Sequence, residues 1–231
     1  MVTTADNYAV GGVIAIWHDI SDEGTEDFYE WHNREHIPER VGIPGFLNGR
    51  RYWSKTASPA FFTLYDVEGP AVLASAAYHQ RLNNPTKWTQ RAVQYFSNES
   101  RSLCSVEIAA GLGWGGTIGT VHFHCDPAVD GQFLDGMRSL CRTMVRRPGI
   151  VSMRVCRADL ETSSLRSAEQ MGRGDNRVPR WVILVEGSSD AAVLTGLSHL
   201  ADQSWTALAV DAEYGAYELQ FALANGEVTE L

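Results

Sequence analysis

Three side chains within one short stretch, His32, Glu35 and His36, form the densest set of acid and base groups in this sequence. On a helix, positions 32 and 36 share one face and position 35 lies beside them. Imidazole titrates near neutral pH, and a neighbouring carboxylate can orient it, as a general acid or base requires. We therefore predict that these three residues are catalytic. The alternative is structural: one imidazole packs the helix end and Glu35 forms a surface ion pair.

The same five residues also fit the zinc-hydrolase pattern H-x-x-E-H, in which two histidines one turn apart hold the metal and the glutamate activates water. No third ligand follows at a suitable spacing in the sequence. Zinc hydrolysis is therefore an alternative that rests on this pattern alone.

Three further histidines belong to two β-rich runs. His18 and His122 occupy the same place in the two runs, and His124 shares a strand face with His122. Two strand ends could then bring three imidazoles to one mouth of a barrel. We favour hydrogen-bonding residues of a pocket wall, and a metal or haem ligand set is the alternative.

A binding pocket is expected beside these groups. Arg50 and Arg51 are adjacent on one strand and so point to opposite faces; one of them could bind a carboxylate or a phenolate, and surface solvation is the alternative. Aromatic side chains could form the pocket wall, with ordinary core packing as the alternative for each. The predicted substrate-binding residues are Trp17, His18, Arg51, Tyr52, Trp88 and His122.

The elements that position these groups occur twice in the chain. GGVIAIWH at 11–18 matches GGTIGTVH at 115–122, and Pro-Gly recurs at 44–45 and 148–149, both at an offset of 104. A later match, WTQRAV with WTALAV, has an offset of 117, so the second copy carries an insertion, expected as a surface loop at about 158–179.

The second copy lacks the histidine pair. At the offset of 104, Gly136 and Leu140 stand where the first copy has His32 and His36. The fold therefore does not require the pair, and we expect the first copy to hold the chemistry while the second serves as scaffold.

Within each copy the apolar pattern predicts strand, helix, strand, strand, helix, strand, with Pro38 ending the first helix. This order is ferredoxin-like, and two such sheets packed face to face would bury their bare faces in one chain. The predicted class is α+β: tandem ferredoxin-like βαββαβ repeats, 1–112 and 113–231, that form an α+β barrel with antiparallel sheets. The predicted strands are 13–19, 46–53, 61–67, 103–109, 117–125, 150–157, 181–186 and 214–223; the predicted helices are 25–36, 71–82, 131–146 and 191–201, with a short one around Trp88.

The stretch WHDISDEGTEDFYEWHNREHIPERVGIPGFLNGRRY, followed later by NNPTKWTQRA, resembles the dimeric α+β-barrel superfamily, specifically its EthD-like and uncharacterised tandem members. The resemblance spans nearly all of the first copy and, more weakly, the second, and it implies the same fold. The superfamily includes cofactor-free monooxygenases, polyketide cyclases, lactone isomerases, haem-binding enzymes and stress proteins, so it implies no single function. Where the cyclases carry an active histidine, this chain has Lys87 or Trp88, which argues against that mechanism.

The composition limits the classes of partner that the protein is expected to bind. Of 231 residues 44% are hydrophobic, enough for a sizeable core, and the net charge of −9 argues against nucleic acid and against an anionic membrane. The chain shows no signal-peptide pattern, so we expect a soluble, cytoplasmic protein. GLGWGG at 111–116 leads into a strand rather than a helix and is interpreted as a linker, not a nucleotide loop.

The sequence thus predicts a cofactor-independent acid/base enzyme, an isomerase, lyase or cyclase, for a small apolar carbonyl or aromatic compound. His36 or His32 would move the proton, and Glu35 would orient the imidazole. We expect no metal and no cofactor, a small-molecule substrate as partner, and leave a homodimer open. Two alternatives remain: a non-catalytic small-ligand-binding or stress protein, and a haem or cofactor-free monooxygenase.

Overall fold

The computed structural model describes residues 10–164 and 178–228. Within them no helix is long and apolar enough to cross a membrane. The strands are β1 (Gly12–Ile20), β2 (Phe46–Trp53), β3 (Phe61–Val67), β4 (Phe96–Gly111), β5 (Thr117–His124), β6 (Ile150–Ala158), β7 (Trp181–Gly187) and β8 (Val210–Ala224). The α-helices are α1 (Thr25–Trp31), α2 (Ile37–Val41), α3 (Ala76–Asn83), α4 (Lys87–Ala92), α5 (Asp130–Met144), α6 (Leu160–Ser164) and α7 (Asp190–Ala201), and a π-helical turn, His32–His36, joins α1 to α2. Short 3-10 turns lie at Asp22–Gly24, Pro70–Ala74, Val93–Tyr95, Pro127–Val129, Ser204–Leu208 and Asn225–Glu227.

The strands join into one closed antiparallel barrel, in the order β1-β3-β2-β8-β5-β7-β6-β4. Each repeat contributes a ferredoxin-like sheet of four strands. The two sheets face each other across the barrel interior, where residues of both pack together, and their edges are joined through β4 with β6 and β2 with β8. Closure pairs the strand edges of both sheets, which an open sheet would leave exposed. The predicted α+β barrel is confirmed.

Alternating side chains divide each strand between the barrel interior and the outer helix layer. In β1, Val13, Ala15 and Trp17 pack inside the barrel, whereas Ile14 and Ile16 pack under the helices of the first repeat. A separate apolar core lies under α5 and α7 of the second repeat. The helix layer and the barrel interior are therefore distinct environments for functional groups.

Backbone conformation explains why Pro-Gly recurs before β2 and β6. Gly45 has a φ of +90° and Gly149 a φ of +79°, a region that disfavours side chains. A Cβ atom on Gly45 would approach Val72 Cγ2 to 2.5 Å, and one on Gly149 would approach Ala192 Cβ to 2.6 Å. At this turn, residues that are 104 positions apart in the sequence occupy equivalent places in the two repeats.

In the first strand, however, the structural offset is 105. Trp17 lies inside the barrel, where its indole donates to Thr120 Oγ1 (3.1 Å) and its ring centroid lies 4.4 Å from that of His122. The register of β1 against β3, compared with that of β5 against β7, aligns Trp17 with His122 and His18 with Phe123. A shift of one residue moves every side chain to the other face. The predicted equivalence of His18 and His122 is wrong, because His18 lies outside the barrel.

Between the first strand and the Pro-Gly turn, the structural offset between the two repeats falls from 105 to 104. The first repeat therefore contains one additional residue, which lies within the π-helical turn. Before the turn His32 corresponds to the buried Met137 of α5, and after it Ile37 corresponds to the buried Cys141. A hydrogen bond from the Ile37 amide to the His32 carbonyl spans five residues, so the turn holds one residue more than an α-helical turn.

Several predicted boundaries are corrected. The first helical segment runs on through the π turn to Val41, because Pro38 falls in the first turn of α2, where no amide donor is needed. Ser75 interrupts the helix predicted at 71–82 and caps α3 by accepting from the Tyr78 amide. β4 and β8 begin earlier than predicted, at Phe96 and Val210, because their first residues pair with the first strand of their own repeat, β1 and β5 respectively. Of the loop predicted at 158–179, part forms α6 and residues 165–177 lie outside the described ones.

An ionic cluster fills the barrel at the end where β1 begins. Arg50, Asp66, Arg154 and Glu186 are each at most 1% exposed. Arg50 pairs with Asp66 (2.8 Å) and Glu186 (3.0 Å), and Arg154 pairs with the same two carboxylates (2.6 and 3.1 Å). Two charges come from each repeat, so the cluster is balanced and ties the halves together.

Candidate functional site

The helix layer of the first repeat buries three imidazoles, which we call the imidazole cluster: His18, His32 and His36. Their exposed fractions are 1%, 3% and 5%. His18 comes from the outer face of β1, where its ring lies parallel to Phe61 (centroids 5.4 Å apart) and 4.5 Å from Phe96. The other two come from the π-helical turn above it.

Aromatic rings hold His32 and His36 in fixed orientations. Their own centroids are 5.5 Å apart and nearly parallel. Phe28 stacks on His32 at 4.9 Å, and Trp31 lies against His36 at 4.3 Å. The Trp31 indole in turn donates to Thr89 Oγ1 (3.1 Å) on α4. Packing from two helices thus orients both rings.

Glu35 faces away from the imidazoles. Its Oε1 accepts hydrogen bonds from Thr86 Oγ1 (2.5 Å) and Thr89 Oγ1 (3.2 Å), at the start of α4. Thr86 also caps that helix by accepting from the Thr89 amide. The expectation that Glu35 orients an imidazole is therefore corrected: its place on the helix directs it to α4, which it fastens to the π turn.

Arg51, on the outer face of β2, reaches into the same layer and is 3% exposed. Its Nη1 donates to Asn33 Oδ1 (2.7 Å) and lies 3.4 Å from His32 Nδ1, and its Nε donates to Gln220 Oε1 (3.2 Å). A guanidinium only donates, so in a hydrogen bond between these two atoms His32 Nδ1 is the acceptor and the ring's proton lies on Nε2. Burial lowers the pKa of Arg51 to about 10, which leaves it cationic at neutral pH.

The equivalent layer of the second repeat holds a plain apolar core. Phe133, Met137, Cys141, Trp181 and Trp205 pack there and are all buried. One fold therefore fills the same place with apolar side chains in one copy and with imidazoles and a guanidinium in the other. Polar groups are costly to bury, and local departures from the packing rules mark functional sites.

A separate cavity of about 650 Å³ lies at the barrel mouth where β5 ends. His122 and His124 are in its wall with Glu213, whose carboxylate lies 3.7 Å from His122 Nε2. Glu99 and Asp211 add further acidic groups. Two of the three strand histidines thus meet at this mouth as expected, whereas His18 does not, because it occupies the outer face.

The remaining predicted residues fall on both sides of the sheet. Tyr52 is inside the barrel, where its hydroxyl accepts from Arg50 Nη1 (2.9 Å) and burial raises its pKa. Trp88 lies in the helix layer and donates to Asp27 Oδ1 (2.9 Å). The predicted site residues thus divide into an outer group, His18, His32, Glu35, His36, Arg51 and Trp88, and an interior group, Trp17, Tyr52 and His122.

Four residues of the outer site were missed from the sequence: Asn33, Thr86, Thr89 and Gln220. The T-x-x-T spacing after Asn-Pro could have indicated Thr86 as a helix cap. Gln220 gives no local signal, since it is 169 positions from the arginine that it contacts.

The described residues form no metal site, and the lining of the mouth cavity does not suit a haem. Among 10–164 and 178–228, no group of three or more His, Cys, Asp and Glu side chains is placed to hold a metal ion. Glu35 of the H-x-x-E-H pattern is bonded to threonines. Haem carries two carboxylates, whereas the mouth cavity's described wall has Glu99, Asp211 and Glu213 and neither Lys nor Arg.

No family model and no curated protein matches the chain. Among solved structures, an anthrone oxidase-like protein is similar over 99% of this chain and 98% of its own, with a TM-score of 0.65 and 12% identity. A candidate monooxygenase from Lactobacillus acidophilus has a TM-score of 0.58 and 8% identity, over 93% and 97% of the two chains. An uncharacterised ferredoxin-fold protein from Listeria monocytogenes, related to antibiotic biosynthesis monooxygenases, has a TM-score of 0.50 and 8% identity, over 92% and 96%. These likenesses show a fold shared with monooxygenase-like proteins; EthD-like membership stays a prediction.

Proposed function

We propose that the protein is a cofactor-independent oxygenase for a small, ionisable aromatic compound of the anthrone type. The observation that carries the proposal is the imidazole cluster with Arg51, at the place where the second repeat has an apolar core. The names of the similar structures favour oxygenation over the isomerase, lyase or cyclase chemistry expected from the sequence.

An anthrone can reduce oxygen without a cofactor once it loses a proton. Its central methylene is acidic, because the carbanion delocalises onto the carbonyl oxygen. That anion gives one electron to O₂, the two radicals combine in a C–O bond, and the resulting hydroperoxide loses water to give the quinone. Overall, anthrone and O₂ yield anthraquinone and one water, so the substrate supplies every electron.

Proton transfer is then the protein's main task. The Nδ1 atom of His32 faces Arg51 and its Nε2 carries the proton, so we assign His32 as a hydrogen-bond donor and His36 as the base. The surrounding rings, Phe28 and Trp31 among them, offer faces on which a planar substrate can stack.

Quinone formation from 1,8-dihydroxyanthrone, measured under air and under argon, tests the proposal. We expect protein-dependent quinone only under air, and a kcat/KM at least about 100-fold lower in His36→Gln. The matched control is His199→Gln on α7 of the second repeat, which should keep full activity. Protein-dependent consumption of the anthrone at an equal rate under argon, without quinone, would contradict oxygenation and restore the isomerase or lyase interpretation.

The mouth cavity favours a second candidate function, the binding of a small ligand without turnover. Its volume of about 650 Å³ suits a drug-sized molecule, and His122 with Glu213 supplies polar recognition. Under this candidate, ligand affinity would depend on His122 and would not change in His36→Gln. Under the oxygenase proposal, turnover would depend on His36 and would not depend on His122.

A further inference from the structure

Arg51 is a buried cation whose neighbours are all neutral. In the part of the chain that the structure describes, no carboxylate lies within ion-pair distance of its guanidinium. Its hydrogen-bond acceptors are the amide oxygens of Asn33 and Gln220 and an imidazole nitrogen of His32. Its remaining contacts are aromatic faces, with Tyr29 at 4.6 Å from the guanidinium carbon.

The adjacent arginine shows how this protein neutralises a buried guanidinium when the role is structural. Arg50, on the inner face of the same strand, contacts both Asp66 and Glu186. Arg154, its counterpart in the second repeat, contacts the same two carboxylates. Buried charges are ordinarily paired, so the outer arginine departs from the rule that the two inner ones follow.

One of the three acceptors can be exchanged for a ligand. Gln220 is exposed, accepts from Arg51 Nε (3.2 Å) and donates to the Tyr29 hydroxyl (3.0 Å). Asn33 and His32 belong to the π turn, whereas Gln220 lies on β8 at the surface. An anionic oxygen that replaced the amide oxygen of Gln220 would add the attraction of opposite charges to a hydrogen bond that the guanidinium alone now makes charge-assisted.

We propose that Arg51 binds the anionic oxygen of the substrate, a phenolate or enolate, at the position now held by Gln220 Oε1. This inference rests on the proposed function, which it deepens by specifying an anionic substrate. The bound oxyanion would be placed beside His32, and the cation would favour the ionised form of the substrate that reacts with oxygen.

Binding of 4-nitrophenolate, followed by its absorbance, tests the proposal without turnover. We expect saturable binding to the full chain at a pH where the probe is ionised, and at least tenfold weaker binding in Arg51→Met. The neutral 4-nitroanisole should bind no more weakly to the variant than to the original protein. The matched control is Arg142→Met, an exposed arginine of α5, which should bind the probe normally.

Two further measurements keep the result interpretable. Gln220→Ala frees the exchangeable position and should tighten 4-nitrophenolate binding several-fold, and it carries the test if Arg51→Met does not fold. A parallel titration with 4-nitrobenzoate shows whether the site takes a phenolate in preference to a carboxylate; stronger binding of the carboxylate would overturn the phenolate assignment.

No detectable binding of the phenolate, or equal binding in Arg51→Met, would overturn the inference. Its failure is distinguishable from that of the proposed function. Anion binding that depends on Arg51, without oxygen-dependent turnover of the anthrone, would retain the anion site and reject the oxygenase. Oxygen-dependent turnover that does not require Arg51 would retain the oxygenase and reject the anion site.

Discussion

His32 and Met137 occupy the same place in two copies of one fold, so the second repeat shows what the position needs for stability alone. We expect His32→Met to keep the free energy of unfolding within about 1.5 kcal/mol, because a side chain of similar volume replaces the ring in an aromatic environment. Activity should fall by roughly 10²-fold to 10³-fold, since a positioned hydrogen-bond donor is lost.

Urea unfolding and oxygen-dependent turnover, measured on the same preparation, check this prediction. The reciprocal variant Met137→His serves as control: it should lower stability by burying a polar ring in an apolar core, and it should leave activity unchanged. A variant His32→Met that is both strongly destabilised and fully active would show that the imidazole has a structural role.

The site was predictable from the sequence only where its residues are neighbours in the chain. His32 and His36 were found because they share a helix face within one turn. The sheet face on which His18 lies was not predicted correctly, because a one-residue difference between the repeats puts His18 on the opposite face from His122. Gln220 and the threonines that bond Glu35 meet the site only through tertiary packing.

At the level of elements, the π-helical turn holds a one-residue insertion that the second repeat lacks, and His36 ends this turn. Deleting the exposed Arg34 should convert the turn to a regular α-helix like α5, and so rotate His36 out of its place. We expect a folded protein with unchanged helical content and little activity. Circular dichroism and the turnover assay measure the two results.

Deletion of Arg138, an exposed residue of α5, is the matched control. That helix contains no additional residue, so a deletion there should shift every later side chain by about 100° and disrupt the core. If the deletion at Arg34 destabilises the protein as much as the deletion at Arg138, the π turn is not an insertion of this kind.

Element order and type followed from apolar periodicity, and Pro-Gly marked the turns before β2 and β6. The π turn did not follow, since its residues fit an ordinary helix pattern equally well. The full lengths of β4 and β8 were also missed, because their first residues are polar and are held by pairing with β1 and β5, the first strands of their own repeats. Local patterns carry no information on such partners.

On the scale of the whole molecule, the ionic cluster joins the two repeats. Asp66→Asn leaves two buried arginines with one carboxylate, and should lower the free energy of unfolding by roughly 3–5 kcal/mol. Urea unfolding measures this loss. The control Asp27→Asn removes a more exposed pairing with Arg91 and should have a much smaller effect.

The same cluster predicts how stability depends on pH. Burial alone would raise the pKa of Asp66, but Arg154 and Arg50 outweigh it and hold that pKa below its usual value. Its contribution is therefore complete above the usual Asp pKa of about 4 and is lost as pH falls below it. The difference in unfolding free energy between the original protein and Asp66→Asn should shrink over that acidic range; an unchanged difference would contradict the account.

The source of the oxygen in the product shows whether the imidazole cluster carries out oxygenation. The protein is incubated with 1,8-dihydroxyanthrone under ¹⁸O₂, and the quinone is analysed by mass spectrometry. We predict one ¹⁸O atom in the new carbonyl, formed at a rate that falls to the background level in His36→Gln and persists in His199→Gln. An unlabelled product, or labelled product formed equally by His36→Gln, would contradict oxygenation at the imidazole cluster.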